Sequence, residues 1–208
     1  MDEGPKRTLF LYGRKRSNIV KSFMRDLHVF KKPDAFMCKR NNDVTIFENV
    51  VPVEQMCKKF ETPLFVLGSH SKKRPHNLVL GRMFDYALLD MVELGIETYT
   101  GIDEFVGPKI SLGTKPLLIF SGIEWTEKEE LKQLKSMFID MFHREKVLSV
   151  RLQGLEHVIS FAVKDGKVLM RTYKVLLKKS GCRTPRIELD EIGKFEFCLV
   201  VMFGKSAA

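Results

Sequence analysis

Apolar residues along this chain fall in short continuous runs that alternate with stripes at helical spacing. Thr8-Leu9-Phe10-Leu11-Tyr12, closed by Gly13, reads as a buried strand. Ile19, Val20, Phe23, Leu27 and Phe30 then recur on one helical face, which predicts a helix over residues 18–31. Ser17 is placed to cap it and Pro33 to stop it. A short strand is expected at residues 36–39, followed by a turn at Asn41-Asn42-Asp43. Val53, Met56, Cys57 and Phe60 fit a short helix, and residues 63–68 a second buried strand. Leu78-Val79-Leu80 follows. Phe84, Leu88, Met91 and Val92 then predict a helix over residues 84–94, with Gly95 as its stop. Residues 99–114, which include Gly101, Gly107, Pro108 and Gly113, are expected to form a linker or long loop.

The pattern then restarts. Residues 116–122 read as a strand closed by Gly122, and Thr126 with Glu129 has the spacing of a capping box. Leu131, Leu134, Met137, Phe138, Met141 and Phe142 make the apolar stripe of the helix behind it. Leu9-Phe10-Leu11-Tyr12-Gly13 followed by a helix therefore resembles Leu118-Ile119-Phe120-Ser121-Gly122 followed by a helix. This weak internal repeat suggests two related α/β halves. Asp165-Gly166 between the runs 158–163 and 168–175 is a hairpin signal. Residues 197–203 read as a last buried strand, which could lie at a sheet edge and pair with a partner strand.

Composition narrows the class. The 208 residues, 44% of them hydrophobic, can bury a real core. No run approaches the roughly 20 apolar residues of a membrane span, so no membrane partner is expected. The first residues do not read as a secretory signal. Cys38, Cys57, Cys182 and Cys198 form no CxxC pair, and a reduced intracellular protein is the plainer reading. Charge is more informative: 35 Lys and Arg against 26 Asp and Glu give a formal +9. Such an excess speaks about partners, with RNA, DNA, an anionic surface or simple solubility as candidates.

Catalytic patterns are missing. Gly204-Lys205-Ser206 resembles the end of a phosphate-binding loop, but Leu199 stands where its first glycine belongs. His28, His70, His76, His143 and His157 form no HExxH and no Cys/His ligand spacing. Glu127, Glu129 and Glu130 suit the first turn of a helix, where the macrodipole favours acids. No triad or nucleophile elbow is visible. The expectation is no enzyme, no cofactor and no metal.

Positive charge is segregated. Residues 68–82 hold Lys72, Lys73, Arg74 and Arg82 without a single acid. Residues 164–186 hold Lys164, Lys167, Arg171, Lys174, Lys178, Lys179, Arg183 and Arg186 against Asp165 alone. Smaller clusters are Arg14-Lys15-Arg16, Lys31-Lys32 and Lys39-Arg40. Segregation of this kind suits a face that neutralises phosphates by counterion release. The loop behind Gly68 adds directed hydrogen-bonding groups in Ser69, His70, Ser71 and Asn77. By charge alone, an RNA site and a solvated loop or nuclear-import signal remain equally open.

The stretch from Gly68-Ser69-His70-Ser71-Lys72-Lys73-Arg74-Pro75 through Leu78-Val79-Leu80-Gly81-Arg82-Met83-Phe84-Asp85 to Leu94-Gly95-Ile96 is specific. With Lys31-Lys32-Pro33, Gly113-Thr114-Lys115-Pro116 and Tyr173-Lys174-Val175 through Thr184-Pro185-Arg186 to Leu189, it resembles the Brix-domain family of ribosome-assembly proteins. The resemblance covers nearly the whole chain. Departures lie after Arg40, where Asn42 and Ile46-Phe47-Glu48-Asn49 replace a lysine and an acidic motif. Members of the family usually also carry a basic lead before the first strand and a basic tail after the domain.

The resemblance implies an α/β fold: one Brix domain over residues 1–208, with two anticodon-binding-like halves, 1–112 and 113–208, in pseudo-two-fold symmetry. It implies an RNA-binding factor of the nucleus and nucleolus that supports rRNA maturation. The implied partners are 5S rRNA and pre-rRNA, a regulator-of-ribosome-synthesis protein, the ribosomal proteins of the 5S particle and the pre-60S particle. The alternative is a protein-only scaffold whose basic surface serves solubility and nuclear import. The RNA-binding candidates are Lys39, Arg40, Ser69, His70, Ser71, Lys72, Lys73, Arg74, Asn77, Arg82, Arg171, Lys174, Lys178, Lys179, Arg183 and Arg186. Without an evident aromatic platform, recognition through backbone and shape is expected.

Overall fold

The computed structural model describes residues 4–106, 110–144, 149, 151–181 and 185–204. Gly107 and Pro108 of the expected linker, and Lys205 and Ser206, lie outside them. The fold is α/β. The first strands and helices are β1 (Thr8–Tyr12), α1 (Asn18–Lys31), β2 (Ala35–Asn41), α2 (Val51–Phe60) and β3 (Leu64–Ser69). The hairpin β4 (Asn77–Phe84) and β5 (Ala87–Thr100) follows. The chain continues with β6 (Leu117–Ser121), α3 (Glu124–Glu127), α4 (Glu129–Phe142), β7 (His157–Lys164), β8 (Lys167–Lys178) and β9 (Arg186–Gly204).

These strands form one nine-stranded sheet in the order β2-β1-β3-β4-β5-β9-β8-β7-β6. Read inward from each side, the topology repeats. β1 is parallel to β3, which continues antiparallel through β4 to β5. β6 is parallel to β7, which continues antiparallel through β8 to β9. The two series meet where β5 pairs antiparallel with β9. β9 therefore lies inside the strand order and not at the end of the sheet; it is paired on both sides over residues 194–198, while residues 199–204 pair with β5 alone.

The expected helix over residues 84–94 is instead the turn of the β4–β5 hairpin and most of β5. Asp85 and Tyr86 both take positive φ, 49° and 59°, and Phe84 stands opposite Ala87. A two-residue turn of that hand matches the twist of the flanking strands. The apolar spacing of Phe84, Leu88, Met91 and Val92 is compatible with either period over so short a run. Strand pairing on both sides decided it. Gly95 accordingly sits within β5. The capping box at Thr126 is also absent. α3 ends at Glu127, Lys128 takes the N-cap position of α4 with no side-chain cap, and Thr126 Oγ1 donates to the Ile123 carbonyl.

Three expectations hold closely. Ser17 caps α1, its Oγ accepting from Val20 N at 3.2 Å. α2 covers the predicted helix around Val53 to Phe60. Asp165 and Gly166 turn the β7–β8 hairpin with φ of 52° and 75°.

Two apolar clusters flank the sheet. One packs α1 and α4 on the same face, joining Phe10, Val66, Leu80, Phe138, Phe161 and Phe195. The other packs α2 under β1, β3 and β4 through Leu9, Leu11, Val53, Cys57, Phe65 and Val79. β1 is thus buried at all five positions, which explains its unbroken apolar run. Gly81 leaves the space in which the Phe65 ring lies, so any Cβ there would strike the ring.

The helices cross the seam. Phe23 of α1 meets Phe195 and Phe197 of β9 edge-on, with centroids 5.4 Å apart in both cases. From α4, Asp140 Oδ2 accepts from Arg82 Nη1 at 2.8 Å and Ser136 Oγ from the same atom at 2.9 Å. Arg82 also grips Asp90 of β5, while Gln133 donates to that carboxylate at 2.9 Å. These carboxylates hold the Arg82 guanidinium firmly protonated, its pKa raised mainly by Asp90. The clasp is mostly buried, which strengthens its electrostatics and makes each member depend on the others.

Candidate nucleic-acid interface

β1, β2 and β3 run parallel, so their C-terminal ends lie together. Tyr12 stands opposite both Asn41 and Gly68. Chain leaves each of those ends in a polar loop, and this is the edge of an α/β sheet where ligands tend to bind. Gly13 lets two of the loops approach, since a Cβ there would lie 2.9 Å from Ser69 Cβ. Gly13 N donates to the Gly68 carbonyl at 2.9 Å, and His70 N to the Lys15 carbonyl at 2.9 Å.

The basic loop is organised by its own hydrogen bonds. Ser71 N donates to the Arg74 carbonyl at 3.0 Å, and Arg74 N to Ser71 Oγ at 3.1 Å. His76, at φ 47°, donates its N–H to His70 Nδ1 at 3.1 Å, and its own Nδ1 lies 2.8 Å from Ser17 Oγ. Ser17 already accepts from α1, so its hydroxyl proton is available to His76. Burial, then the neighbouring His70, pushes the His76 pKa down. This tie fastens the loop to the N-terminus of α1 and leaves Lys72 and Lys73 pointing into solvent.

Arg74 has a second task. Its Nη1 lies 3.0 Å from Oε1 of Glu93, a wholly buried carboxylate on β5. Its guanidinium also lies over the Phe47 ring, 4.3 Å from the centroid. It is half exposed while neutralising a charge in the core.

Of the sixteen expected residues, Lys39, Arg40, Ser69, His70, Ser71, Lys72, Lys73 and Arg74 come together at this edge. Asn77 belongs to β4 and is 4% exposed, and Arg82 is committed to Asp90 and Asp140. Arg82 therefore spends its donors inside the fold, and Asn77 is largely covered. Arg16, Lys21 and Arg25 stand beside Lys39 in a groove against α1 and were missed as binding residues. Their charge cluster was visible in part at residues 14–16; the packing of β2 beside α1 was not.

The second basic group is arranged differently. His157, the first residue of β7, stands opposite Lys174, and Thr100, the last of β5, opposite Lys194. Residues 175–178 and 186–189 therefore run past their neighbours as a two-stranded ribbon carrying Lys178 and Arg186. By register the ribbon leaves the sheet at the same strand end as the basic loop. Its charges are shared with acids: Arg171 lies 3.9 Å from Glu191, and Lys178 and Arg186 lie 2.5 and 3.6 Å from Glu188. Exposed pairs of this kind contribute little to stability. Lys179 is exposed, Lys174 is partly covered, and Arg183 lies outside the described residues. Among the described residues, no group of three or more His, Cys, Asp or Glu could hold a metal ion. No helix among them is long and apolar enough to cross a membrane.

The sequence model of the Brix domain matches residues 13–200. The chain belongs to the Brix domain family. This Brix domain is 52% identical over 192 residues to the ribosome production factor 2 homolog of Drosophila melanogaster, a match covering 92% of the chain and 60% of that protein. It is 44% identical over 193 residues to the Homo sapiens protein of the same name, covering 93% and 63%. The chain thus spans about three fifths of the length of these relatives. A crystal structure of a probable ribosomal biogenesis protein from Aeropyrum pernix K1 superposes with a TM-score of 0.58 at 14% identity, covering 98% of both chains. That likeness establishes the shared fold.

Proposed function

We propose that this Brix domain is a non-enzymatic, RNA-binding factor in the assembly of the large ribosomal subunit. The observation that carries the reading is the gathering of Lys39, Arg40, Lys72 and Lys73, all exposed, at one strand end of the sheet. The hydrogen-bonded loop reduces the ordering cost of binding, and the cations release counterions when phosphates replace water. The names of the relatives supply the setting of ribosome production. In that setting the domain joins a regulator-of-ribosome-synthesis protein and brings 5S rRNA, with its ribosomal proteins, to the pre-60S particle in the nucleolus. The ribbon carrying Lys178, Lys179 and Arg186 extends the same surface, and pre-rRNA is its second RNA partner.

A protein partner also needs a surface. The face of β6–β9 turned away from α4 exposes Leu117 and Ile119, and the ribbon continues it with Ile187 and Leu189. On the other side of the seam, α2 covers the corresponding face. An amphipathic helix of the partner, seated as α2 is seated, completes the repeat.

The deciding measurement is binding of 5S RNA to the Lys72→Gln/Lys73→Gln double variant across a salt series. Arg74 is left intact because its loss would strand Glu93 in the core. Affinity is expected to fall about tenfold near physiological salt and the slope to become shallower by roughly one to two. Unchanged affinity and slope in a folded variant would overturn the assignment of RNA to this loop.

A further inference from the structure

Beside the basic loop, α1 and β2 enclose an open groove of about 470 Å³. That size is within the range of small-ligand pockets, roughly 300–1,000 Å³. Tyr12 and Met37 form its apolar side, and Arg16, Lys21, Arg25 and Lys39 its charged side; no acidic side chain lines it. Lys21 and Lys39 are exposed, and Arg25 is shared with Asp103 at 2.8 Å.

Arg16 is the unusual member. Its guanidinium lies 4.1 Å from the centroid of the Tyr12 ring. Tyr12 is itself fixed, 4% exposed, at the end of β1. Arg16 Nη1 donates to the Lys39 carbonyl at a long 3.4 Å, and no carboxylate among the described residues pairs with it. Arg74 offers the contrast. It too lies over an aromatic ring, but its charge is committed to buried Glu93. A guanidinium braced on one face by a ring, half-buried and uncommitted to an acid, is a flat cationic shelf. Such shelves stack unpaired bases, and the flanking lysines can take the adjoining phosphates.

We infer that this groove is a subsite for an unpaired nucleotide of RNA, with the base stacked on Arg16 and its phosphates held by Lys21 and Lys39. The inference rests on the RNA-binding reading above and sharpens it. Recognition at this edge is not by phosphate charge alone but favours a single-stranded or looped segment over a continuous duplex. A duplex keeps its bases stacked on one another and can offer only its backbone to the groove.

The test compares a single-stranded RNA octamer with an RNA duplex, by fluorescence anisotropy, for the wild-type chain and the Arg16→Lys variant. Lysine keeps the charge and loses the plane. Single-strand affinity is expected to fall about five- to tenfold in Arg16→Lys, while duplex affinity and both salt slopes stay unchanged. Equal binding of the octamer by both proteins overturns the subsite, and so does an equal loss for octamer and duplex. If wild type binds neither RNA, the broader RNA-binding reading falls with it; if it binds both and Arg16→Lys changes neither, only the subsite falls. A thermal midpoint for Arg16→Lys matching that of wild type confirms that the comparison is between folded proteins.

Discussion

Strands β1, β3, β4 and β5 and strands β7, β8 and β9 with β6 have the same order and pairing senses, yet the two sides of the seam present different surfaces. On the first side α1 covers one face and α2 the other, and Phe10 and Leu9 are both fully buried on opposite sides of β1. On the second side α3 and α4, with α1 reaching across the seam, cover one face, and no described α-helix covers the other. β6 alternates, with Phe120 packed inward against Phe161 at 4.9 Å while Leu117 and Ile119 remain 45% and 40% exposed. The cause is one insertion. Between α1 and β3 the chain adds β2 and α2, and the corresponding path from α4 to β7 adds no described helix longer than a single turn. The same strand framework thus yields a closed side, whose polar end offers charge, and an open side, where Leu117 and Ile119 are exposed and the row of Ile119 also carries Arg171 and Lys194.

The largest effect tests whether the two sides are separable. Arg82→Ala leaves Asp90, and in part Asp140, without their cation across the seam. A loss of about 3–5 kcal/mol is expected in chemical denaturation, with one cooperative transition. Two separated transitions would break the view that the sides fold as a unit. Next comes His157, at the start of β7 and packed on Phe30 of α1 with centroids 5.3 Å apart. Burial first, then Arg144, pulls its pKa down to about 4. The unfolded chain binds that proton near 6.5, so stability is full above that pH and is lost as pH falls through about 4. The shift corresponds to roughly 3 kcal/mol. His157→Gln is expected to flatten that part of the stability–pH curve, and an identical curve would remove His157 as its source. The smallest effect sharpens the contrast of faces. Val53→Ala, on the buried face of α2, should cost about 2 kcal/mol by leaving a cavity. Ile119→Ala, on the open face, should stay within about 0.5 kcal/mol. Equal losses would mean that the open face is not open.

Legibility followed the same division. α1, α2 and the β7–β8 turn could be read because their signals are local: a stripe of side chains, a cap at Ser17, an Asp-Gly pair. The Brix resemblance carried the α/β class and the basic edge. The stretch from Phe84 to Leu94 misled because its apolar spacing suits two periods, and only pairing with β4 and β9 separates them. Arg82 looked like one more surface cation, since nothing in its neighbourhood in the chain shows Asp140 arriving from α4. Arg16 was hidden for the converse reason. It became a shelf only when β1 placed Tyr12 beneath it and β2 brought Lys39 alongside.

The amino-acid sequence by itself determined the alternation of strands and helices, the excess and segregation of positive charge, and the loop from Ser69 to Arg74 as the place where charge meets hydrogen-bonding groups. These depend on residues close together in the chain. Tertiary structure decided which charges remain available to a partner. Burial turns Arg82 into a clasp and Arg74 into a counterion, while the parallel ends of β1, β2 and β3 collect Arg16, Lys21 and Lys39. A charge acts through the distance and dielectric between it and its neighbours, and folding sets both.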